Sequence, residues 1–292
     1  MGAKLLLVDA FSHIYRSFHA LPRLTAPDGQ PVQAVLGFIR ILRKLRREFQ
    51  PTHLTAVFDR GAPQRRLTLL PSYKEQRPPT PPELESQLPY IRKAIPLLGI
   101  PVVEREGEEA DDIIATLARS AAADGATVWV ATNDKDLGQL VSPQIQLVLG
   151  DGRILDDAAI QQRYGVPPQQ LVDLFSLAGD PVDNIAGLPG VGLKRAAELL
   201  REYGSLEQVI QAADRMANVK LAEALRSEAD RLRRNRELIA LRSDIPLPVT
   251  WRDLQPQPED REGLRKLYQT LGLKTLLKDL EAGDRGSQGE LF

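Results

Sequence analysis

The sequence contains no cysteine, which excludes disulfide bonds, thiolate metal ligands and cysteine nucleophiles. Long apolar runs are missing as well, and no stretch is long enough to span a bilayer. The apolar stretch near the N-terminus, residues 5–8, is too short for a signal peptide and leads directly into polar residues. The 3 histidines show no paired spacing of the kind that binds a metal. These absences favour a cytoplasmic protein.

Basic and acidic residues nearly balance, but they are segregated along the chain. The 292 residues include 38 basic and 39 acidic side chains, for a formal net charge of −1. A nucleic-acid-binding protein is usually basic, so this average alone argues against one. Two segments are nevertheless crowded with positive charge, the first with Arg40, Arg43, Lys44, Arg46 and Arg47, the second with Arg231, Arg233, Arg234 and Arg236. Taken by itself, either run could be a solvated helix face as well as a nucleic-acid-binding surface.

Short runs rich in leucine and β-branched residues predict buried strands at 4–8, 54–58 and 127–131. Between them, apolar residues recur at helical spacing, as in Phe38, Ile41, Leu42, Leu45 and Phe49. Strands that alternate with helices indicate an α/β fold with a mostly parallel central sheet flanked by helices. We assign residues 1–170 to this domain.

The pattern changes after about residue 165, where strand signals disappear and helix-forming residues dominate. We predict a C-terminal helical region at 171–278 and a flexible tail at 279–292. Within the first domain, residues 72–82 are polar and contain four prolines together with Tyr73, Lys74 and Arg77. A long polar excursion inside a compact domain is more often functional than not.

Each of the three predicted strands is followed closely by an aspartate, namely Asp9, Asp59 and Asp134. In an open α/β sheet the ligand site lies beyond the carboxyl ends of the strands, so these side chains are expected to converge on one cleft. One such aspartate is often only a turn or cap residue, but three in succession are poorly explained in that way. Further acids that could reach the same cleft are Glu109, Asp111, Asp112, Asp136, Asp180 and Asp183.

A concentration of carboxylates is unfavourable unless cations neutralise it. Two like charges about 4 Å apart repel by roughly 4 kcal/mol at an effective dielectric constant of about 20. Oxygen ligands select hard divalent ions such as Mg²⁺ or Mn²⁺. Two such ions bridged by carboxylates form a site suited to phosphodiester hydrolysis. The acids therefore predict a metal-dependent nuclease.

Six motifs occur in an order that resembles the 5′-nuclease domain of bacterial DNA polymerase I and its flap-endonuclease relatives, which have a PIN-like or resolvase-like fold. The motifs are LVDAFS at 7–12, VFD at 57–59, YK at 73–74, EADD at 109–112, TNDKDL at 132–137 and GDPVDNI at 179–185. The resemblance extends from about residue 4 to about residue 278, and the combination of EADD with TNDKDL is highly specific.

The resemblance implies a site that holds two Mg²⁺ or Mn²⁺ ions. The first ion is expected at Asp9, Asp59, Glu109, Asp111 and Asp134, with help from Asp112. The second is expected at Asp136, Asp180 and Asp183. Asp9 and Asp134 are assigned catalytic roles as well.

The resemblance also implies a helical arch at about 63–95, through which a single-stranded 5′ end passes. In the arch, Lys74 is expected to steer the scissile phosphate together with Arg77, and Tyr73 to stack on a base. Arg16 and Arg66 match positions that contact the DNA backbone.

The segment GLPGVGLKRAA at 187–197 resembles a helix-hairpin-helix motif. Gly190 and Gly192 let the backbone approach a phosphate, while Lys194 and Arg195 add positive charge at the start of the following helix. A phosphate loop of the Walker type is excluded, because Leu193 stands where that motif has lysine and no strand precedes it. A plain glycine turn remains an alternative. Relatives often hold a K⁺ ion here, which this sequence permits.

The last five residues, QGELF at 288–292, resemble the peptides with which bacterial proteins dock on the DNA sliding clamp. The resemblance assigns clamp contacts to Gln288, Leu291 and Phe292. A chance match is the alternative, because the motif is short.

The sequence thus predicts a structure-specific 5′-3′ exonuclease and flap endonuclease that cuts DNA, or RNA-primed strands, during primer removal and repair. Two alternatives remain at this point. One is a non-catalytic binder of DNA structures or a clamp adaptor on the same fold. The other is an RNA-specific nuclease with similar acids, as in related PIN-type domains.

Overall fold

The computed structural model describes the backbone of residues 2–288 and the side chains of residues 2–282. A six-stranded sheet forms the centre of the first domain. Its strands are β1 (Lys4–Asp9), β2 (His53–Val57), β3 (Val102–Val103), β4 (Thr127–Ala131), β5 (Ile145–Val148) and β6 (Ile154–Leu155). Their spatial order is β3-β2-β1-β4-β5-β6, and all neighbours are parallel except β5 and β6. The predicted mostly parallel sheet is confirmed, with β3, β5 and β6 added to it.

Helices cover both faces of the sheet. Successive side chains of β1 point to opposite faces, and because all of them are apolar from Leu5 to Val8, both faces must be buried. Leu6 and Val8 face a core that includes residues of α1 (Ala10–Ala20) and α2 (Gln33–Phe49), together with the C-terminal helices α12 (Arg261–Thr270) and α13 (Lys274–Gln288). Leu5 and Leu7 face the opposite core, which contains α6 (Ala110–Ala123). The sheet is therefore enclosed, and only its edges remain open for a site.

The C-terminal helical region packs on the α6 side of the sheet. Its helices are α7 (Asp157–Tyr164), α8 (Leu171–Ala178), α9 (Leu193–Tyr203), α10 (Leu206–Gln211) and α11 (Val219–Ile239). Between α8 and α9, β7 (Gly179–Asp180) and β8 (Ile185–Ala186) form a small antiparallel hairpin. The predicted helical region thus contains one short pair of strands, which brings Asp180 and Asp183 to a tight turn.

The segment predicted as a helical arch at 63–95 is shorter and less helical in the structure. It contains α3 (Gln64–Leu69), α4 (Pro82–Glu85) and α5 (Leu88–Leu97), with turns and extended chain at 70–81. We name residues 70–81 the strap. Ile91, Ala94 and Ile95 of α5 are buried in the same core as α2, so this helix belongs to the body of the domain. Prolines at 78, 79, 81 and 82 keep the strap from forming a helix.

The flexible tail was predicted to begin at residue 279, but α13 continues through Gln288. Leu276 and Leu280, four residues apart on one face of the helix, are both buried and hold it against the domain. Two of the predicted clamp-binding residues, Leu291 and Phe292, lie outside the described residues. Among the described helices, none is both long enough and apolar enough to cross a membrane.

Candidate active site

A cleft of about 470 Å³ lies at the edge of the sheet where β1, β2 and β4 end. Four of its lining residues are aspartates, which we name the cleft acids: Asp9, Asp59, Asp111 and Asp134. Lys74 and Arg77 of the strap line the same cleft, and the Tyr15 hydroxyl meets Thr80 Oγ1 across it at 2.8 Å. The strap therefore covers the acids with two cations.

Backbone and hydroxyl donors hold the cleft acids in place. Asp9 is the last residue of β1 and caps α1, accepting hydrogen bonds from the backbone N–H of Ser12 at 3.2 Å and from Thr132 Oγ1 at 2.7 Å. Asp59 accepts from the backbone N–H of Ala110 at 2.9 Å. These donors orient the carboxylates but carry no net charge, so the repulsion among the acids persists.

The electrostatic consequence is a set of raised pKa values. Burial, together with the neighbouring Asp59 and Asp134, raises the pKa of Asp9 to about 7 against the hydrogen bond from Thr132. Burial also raises the pKa of Asp59, and it raises that of Asp111 well above its usual value with help from Asp134 and Asp9. Asp9, Asp59 and Asp111 therefore resist ionisation until additional positive charge is supplied.

A second group, which we name the inner acids, consists of Asp136, Asp180 and Asp183. Each offers one carboxylate oxygen, and these three oxygens lie within 4.8 Å of one another. Lys135 Nζ donates to Asp180 and lies 3.6 Å from Asp136 Oδ1. A small internal cavity lined by Asp111, Asp136 and Asp183 connects this group to the cleft acids. The structure thus brings seven of the nine predicted metal ligands into one continuous acidic region.

The strap residues contact one inner acid, Asp183, and the neighbouring Glu109. Asp183 accepts a hydrogen bond from Arg77 Nη2 at 2.6 Å and another from the Tyr73 hydroxyl at 2.9 Å. Lys74 Nζ is 3.9 Å from Asp183 and donates to Glu109. Burial alone would raise the pKa of Asp183, but Lys74 and Arg77 outweigh it and the pKa is lowered. Burial of Lys74 is outweighed in the same way by Glu109 and Asp183, which raise its pKa.

The backbone of Lys74 has a φ of 57°, in the left-handed region that non-glycine residues adopt at a cost of about 1–2 kcal/mol. Its N–H donates to the carbonyl of Asp183 at 3.2 Å, and Asn184 Nδ2 donates to the carbonyl of Ser72 at 2.8 Å. Two backbone contacts with the β7–β8 turn thus hold the strained residue in place. The strain places the ammonium group inside the acidic region.

Three of the predicted DNA or metal contacts are buried in this structure. Arg66 is 4% exposed and donates to both Glu109 and Asp112, as well as to the carbonyl of Leu238. Asp112 is 2% exposed and belongs to this ion-pair network, and it does not line the cleft. Tyr73 is 7% exposed, and its hydroxyl donates to Asp183. Their predicted contacts with DNA or metal therefore stay predictions.

The remaining predicted ligand, Glu109, has an intermediate position. It is buried, directly precedes α6, and accepts hydrogen bonds from Arg66 and Lys74 rather than lining the cleft.

Two residues that were not predicted from the sequence also contact the acids of the site. Thr132 donates to Asp9, and Lys135 pairs with Asp180. Both lie inside the TNDKDL motif, which was the available signal for them.

The acidic region fits divalent cations. All of its donors are carboxylate oxygens, the set that hard ions prefer. Asp136 Oδ1 is buried and accepts no hydrogen bond from the described residues, although an unpaired buried carboxylate oxygen costs free energy. A cation with oxygen ligands would satisfy this atom and relieve the repulsion that raises the pKa of Asp136 to about 7, where burial and Asp134 are the main causes.

The predicted helix-hairpin-helix segment forms an exposed turn that leads into α9. A Cβ at Gly190 or Gly192 would meet no atom within 4 Å, so the space in front of this backbone is open. Lys194 and Arg195 are exposed in the first turn of α9, and Arg195 pairs with Glu198 at 3.0 Å. The turn, the first residues of α9 and Glu198 border a shallow depression of about 510 Å³.

Comparison with known proteins agrees with this fold. The family described as 5′-3′ exonuclease, N-terminal resolvase-like domain, matches residues 4–165. The C-terminal SAM fold of the 5′-3′ exonucleases matches residues 166–262. The fold and the acidic site define the chain as a nuclease. It belongs to the 5′-3′ exonuclease family.

Relatives of two lengths are similar to the chain. A 5′-3′ exonuclease of Aquifex aeolicus is 36% identical, with 99% of each chain covered. DNA polymerase I of Bacillus caldotenax is 39% identical over 97% of this chain and 33% of its own length. DNA polymerase I of Rhizobium leguminosarum is 41% identical over 95% and 28%. The chain therefore spans about a third of the polymerase I relatives that it matches.

Solved structures with the same fold are more distant in sequence. The D15 flap endonuclease of bacteriophage T5, in a complex with DNA and metal ions, has a TM-score of 0.71 at 21% identity, covering 96% of this chain and 98% of that one. The catalytic core of Rad2 with a DNA substrate has a TM-score of 0.61 at 18% identity, covering 92% and 88%. At this level of identity they establish the shared fold alone.

Proposed function

We propose that the chain is a structure-specific 5′-3′ exonuclease and 5′-flap endonuclease. Its substrate is DNA, or an RNA-primed strand, cut near the junction of single-stranded and double-stranded segments during primer removal and repair. One observation carries the proposal: seven aspartates from distant parts of the chain form one acidic region beneath a strap that supplies Lys74 and Arg77. The names of the relatives support the same activity.

We assign two Mg²⁺ or Mn²⁺ ions to the acidic region. The first is held by the cleft acids, with Glu109 available if Lys74 releases it, and the second by the inner acids. When bound, such ions neutralise the carboxylates and stabilise charge on a phosphodiester undergoing hydrolysis. Asp112, although expected to help, is excluded from the set because Arg66 and the backbone N–H of Arg242 occupy its oxygens.

The chain's own cations orient the substrate. Lys74 and Arg77 line the cleft, and the carboxylates that they contact are the ones assigned to metal ions. Once metal ions neutralise Glu109 and Asp183, both side chains are available to a phosphate. A phosphate held by two fixed cations is placed against the acids in a single orientation, which is the positioning that hydrolysis requires.

Duplex DNA is assigned to the helix-hairpin-helix segment. Gly190 and Gly192 leave the backbone open to a phosphate, and Lys194 and Arg195 add charge beside it. Such contacts grip a duplex without reading its sequence. We also assign a K⁺ ion to this turn, and Arg16, exposed on α1, remains a proposed backbone contact.

The experiment that tests the function is cleavage-site mapping on a DNA with a labelled 5′ flap, with Mg²⁺ and with a chelator. We expect cuts close to the junction, leaving 5′-phosphate and 3′-hydroxyl ends, only when Mg²⁺ is present. Binding without cleavage at any Mg²⁺ concentration would instead support a non-catalytic DNA-structure binder. Cleavage of an all-RNA flap in preference to DNA and RNA-primed flaps would support an RNA-specific nuclease.

A sliding clamp is the proposed partner of the C-terminal residues Gln288, Leu291 and Phe292. Deleting residues 288–292 is expected to abolish clamp binding and to leave nuclease activity on short oligonucleotides unchanged. Binding to immobilised clamp measures the first, and flap cleavage measures the second. Unchanged clamp affinity after the deletion refutes this assignment and leaves the nuclease proposal intact.

A further inference from the structure

The two arginine-rich segments of the sequence differ in how the structure neutralises them. On α11, Arg231 pairs with Glu228, Arg233 with Glu207 and Arg236 with Asp173. On α2, by contrast, Arg40, Lys44 and Arg47 are exposed and have no acidic partner within 4 Å among the described residues. Arg40 contacts only the hydroxyl of Thr275, at 3.0 Å. Three of the four arginines in the α11 segment are thus paired with acids, whereas these three cations of α2 have no acidic partner among the described residues.

The three cations of α2 lie in a row. Positions 40, 44 and 47 are spaced i, i+4 and i+7, so they share one face of the helix and repel one another. The row spans about 10 Å at 1.5 Å per residue. Phosphates follow one another along a DNA strand at about 3.4 Å of helix axis. The row is therefore long enough to contact more than one phosphate of the same strand. The helix dipole favours cations in the last turn and accounts for Arg47 alone.

The row continues toward the cleft through the turn at 149–153. A Cβ on Gly152 would lie 3.7 Å from Lys44 Nζ, and one on Gly150 would overlap the Arg16 side chain, so Arg16 and Lys44 flank the same turn. The backbone N–H of Gly150 donates to Asn133 Oδ1 at 3.0 Å, and Asn133 lines the cleft. One acid of this turn, Asp151, is already bound by Arg153. A basic path thus leads from the active site to α2.

This path lies on the face of the sheet opposite to the helix-hairpin-helix segment. The core beneath α2 contains Leu6 and Val8 of β1. The core beneath the helical region contains Leu5 and Leu7 of the same strand. The acidic cleft at the end of β1 therefore lies between two separate positive surfaces. A junction with a flap has two duplex arms, and the helix-hairpin-helix segment accounts for one of them.

We propose that Arg16, Arg40, Lys44 and Arg47 bind the phosphates of the second duplex arm. The proposal rests on the nuclease function and adds a contact surface to it. A nucleic acid fits this surface better than a protein does, because the core of a protein interface is depleted in charge and contains aromatic or apolar residues, whereas consecutive unpaired cations match a chain of phosphates. None of the exposed large apolar side chains of the described residues lies on α1 or α2. The contact is electrostatic and independent of sequence.

The test compares two substrates in the presence of Mg²⁺: a 5′-flap junction with both arms double-stranded, and the same junction without the strand that completes the second arm. The variant is the triple substitution Arg40→Ala, Lys44→Ala and Arg47→Ala. On the two-armed substrate we expect KM to rise roughly tenfold or more with kcat unchanged. The slope of log(kcat/KM) against log[salt] should become shallower by about 2–3, one for each lost phosphate contact. On the one-armed substrate the variant should match the wild type.

The matched control removes three exposed cations that each pair with an acid, through Arg226→Ala, Arg252→Ala and Lys266→Ala. It changes net charge equally and should leave both KM values near the wild-type values. An α2 variant that matches the control on both substrates, or that weakens both substrates alike, overturns the inference. A wild-type chain that cleaves neither substrate contradicts the nuclease proposal instead, so the two failures are distinguishable.

Discussion

Two of the inner acids are hydrogen-bonded to cations of the chain, whereas none of the cleft acids has an ion-pair partner within 4 Å among the described residues. Asp180 is paired with Lys135 and Asp183 with Arg77. The pKa of Asp183 is lowered, because Lys74 and Arg77 outweigh its burial, while burial raises those of Asp9 and Asp111. The third inner acid, Asp136, resembles the cleft acids, because burial and Asp134 raise its pKa to about 7.

This difference shows that the chain supplies neutralising cations to one part of the acidic region and none to the other. Asp9, Asp59 and Asp111 are buried without a cationic partner and depend on external cations for their charge. Asp180 and Asp183 are already paired with Lys135 and Arg77, so a metal ion that binds these two acids must displace those side chains. Metal binding at the inner acids is therefore coupled to release of the side chains that are proposed to orient the phosphate.

The largest expected effect tests whether the cleft acids carry the chemistry. Asp9→Asn removes the charge at the end of β1 while keeping the size of the side chain. We expect kcat for flap cleavage to fall at least about a thousandfold, because metal-assisted stabilisation amounts to several kcal/mol. Affinity for the DNA, measured by fluorescence anisotropy, should persist. Asp134→Asn should behave in the same way, and residual activity above a few per cent in either variant would contradict the assignment.

The next effect concerns the strap. Lys74→Ala should lower the rate of cleavage on the order of a hundredfold by loss of phosphate positioning, since small misplacements have effects of this size. Single-turnover rates at saturating enzyme separate this step from binding. Lys266→Ala, a surface lysine paired with Glu262, is the control and should have no effect. A Lys74→Ala variant with the single-turnover rate of the wild type would remove Lys74 from the site.

A third prediction concerns stability in the absence of metal. The pKa of Asp9 is about 7 in the folded chain and near 3.8 in the unfolded chain. Between pH about 4 and about 7 the folded state therefore binds more protons, and its stability falls as the pH rises. Burial lowers the pKa of His13 to about 4, an effect of opposite sign, so the comparison must be made between wild type and Asp9→Asn.

Thermal unfolding with a chelator provides that measurement. At pH 8 Asp9→Asn should be several degrees more stable than the wild type, and at pH 4 the two should coincide. Mg²⁺ should stabilise the wild type more at pH 8 than at pH 5, since it favours the ionised carboxylates. A wild-type chain that is more stable than Asp9→Asn in chelator at pH 8 would show that the cleft acids are already neutralised.

The smallest effect distinguishes the two groups directly. In chelator at pH 8, Asp111→Asn should raise the free energy of unfolding because it removes repulsion. Asp183→Asn should lower it by about 1–3 kcal/mol, because Arg77 and Tyr73 lose a charged acceptor. Urea denaturation followed by circular dichroism resolves a difference of this size. Changes of the same sign in both variants would mean that Asp111 and Asp183 do not differ in whether their charge destabilises the folded chain.

Most of the sheet could be predicted from the sequence because β1, β2 and β4 are mostly buried and are therefore runs of leucine, alanine and β-branched residues. The two-residue strands β3, β6, β7 and β8 are too short to show any periodicity. They form because elements that are distant in the sequence bring their backbones together, so a short window of sequence does not predict them.

Single side-chain roles within the site were harder to predict than the site itself. Asp111 and Asp112 are adjacent in the sequence, but successive residues of a helix point about 100° apart. Asp111 therefore faces the cleft while Asp112 faces Arg66. Glu109 and Asp112, three residues apart, enclose the same guanidinium. Only the folded chain shows that Arg66 is buried between two carboxylates.

The central position of β1 has a consequence for how such a site can change. This strand is paired on both sides, so the carboxylate at its end is attached to backbone that two neighbouring strands hold. Lys74, Arg77 and Asp183 come from turns outside the six-stranded sheet, and these turns contact each other. Substitutions in those turns would change the position of these side chains while Asp9 stays in place. Altered packing under β1 would instead move Asp9 relative to every other group of the site.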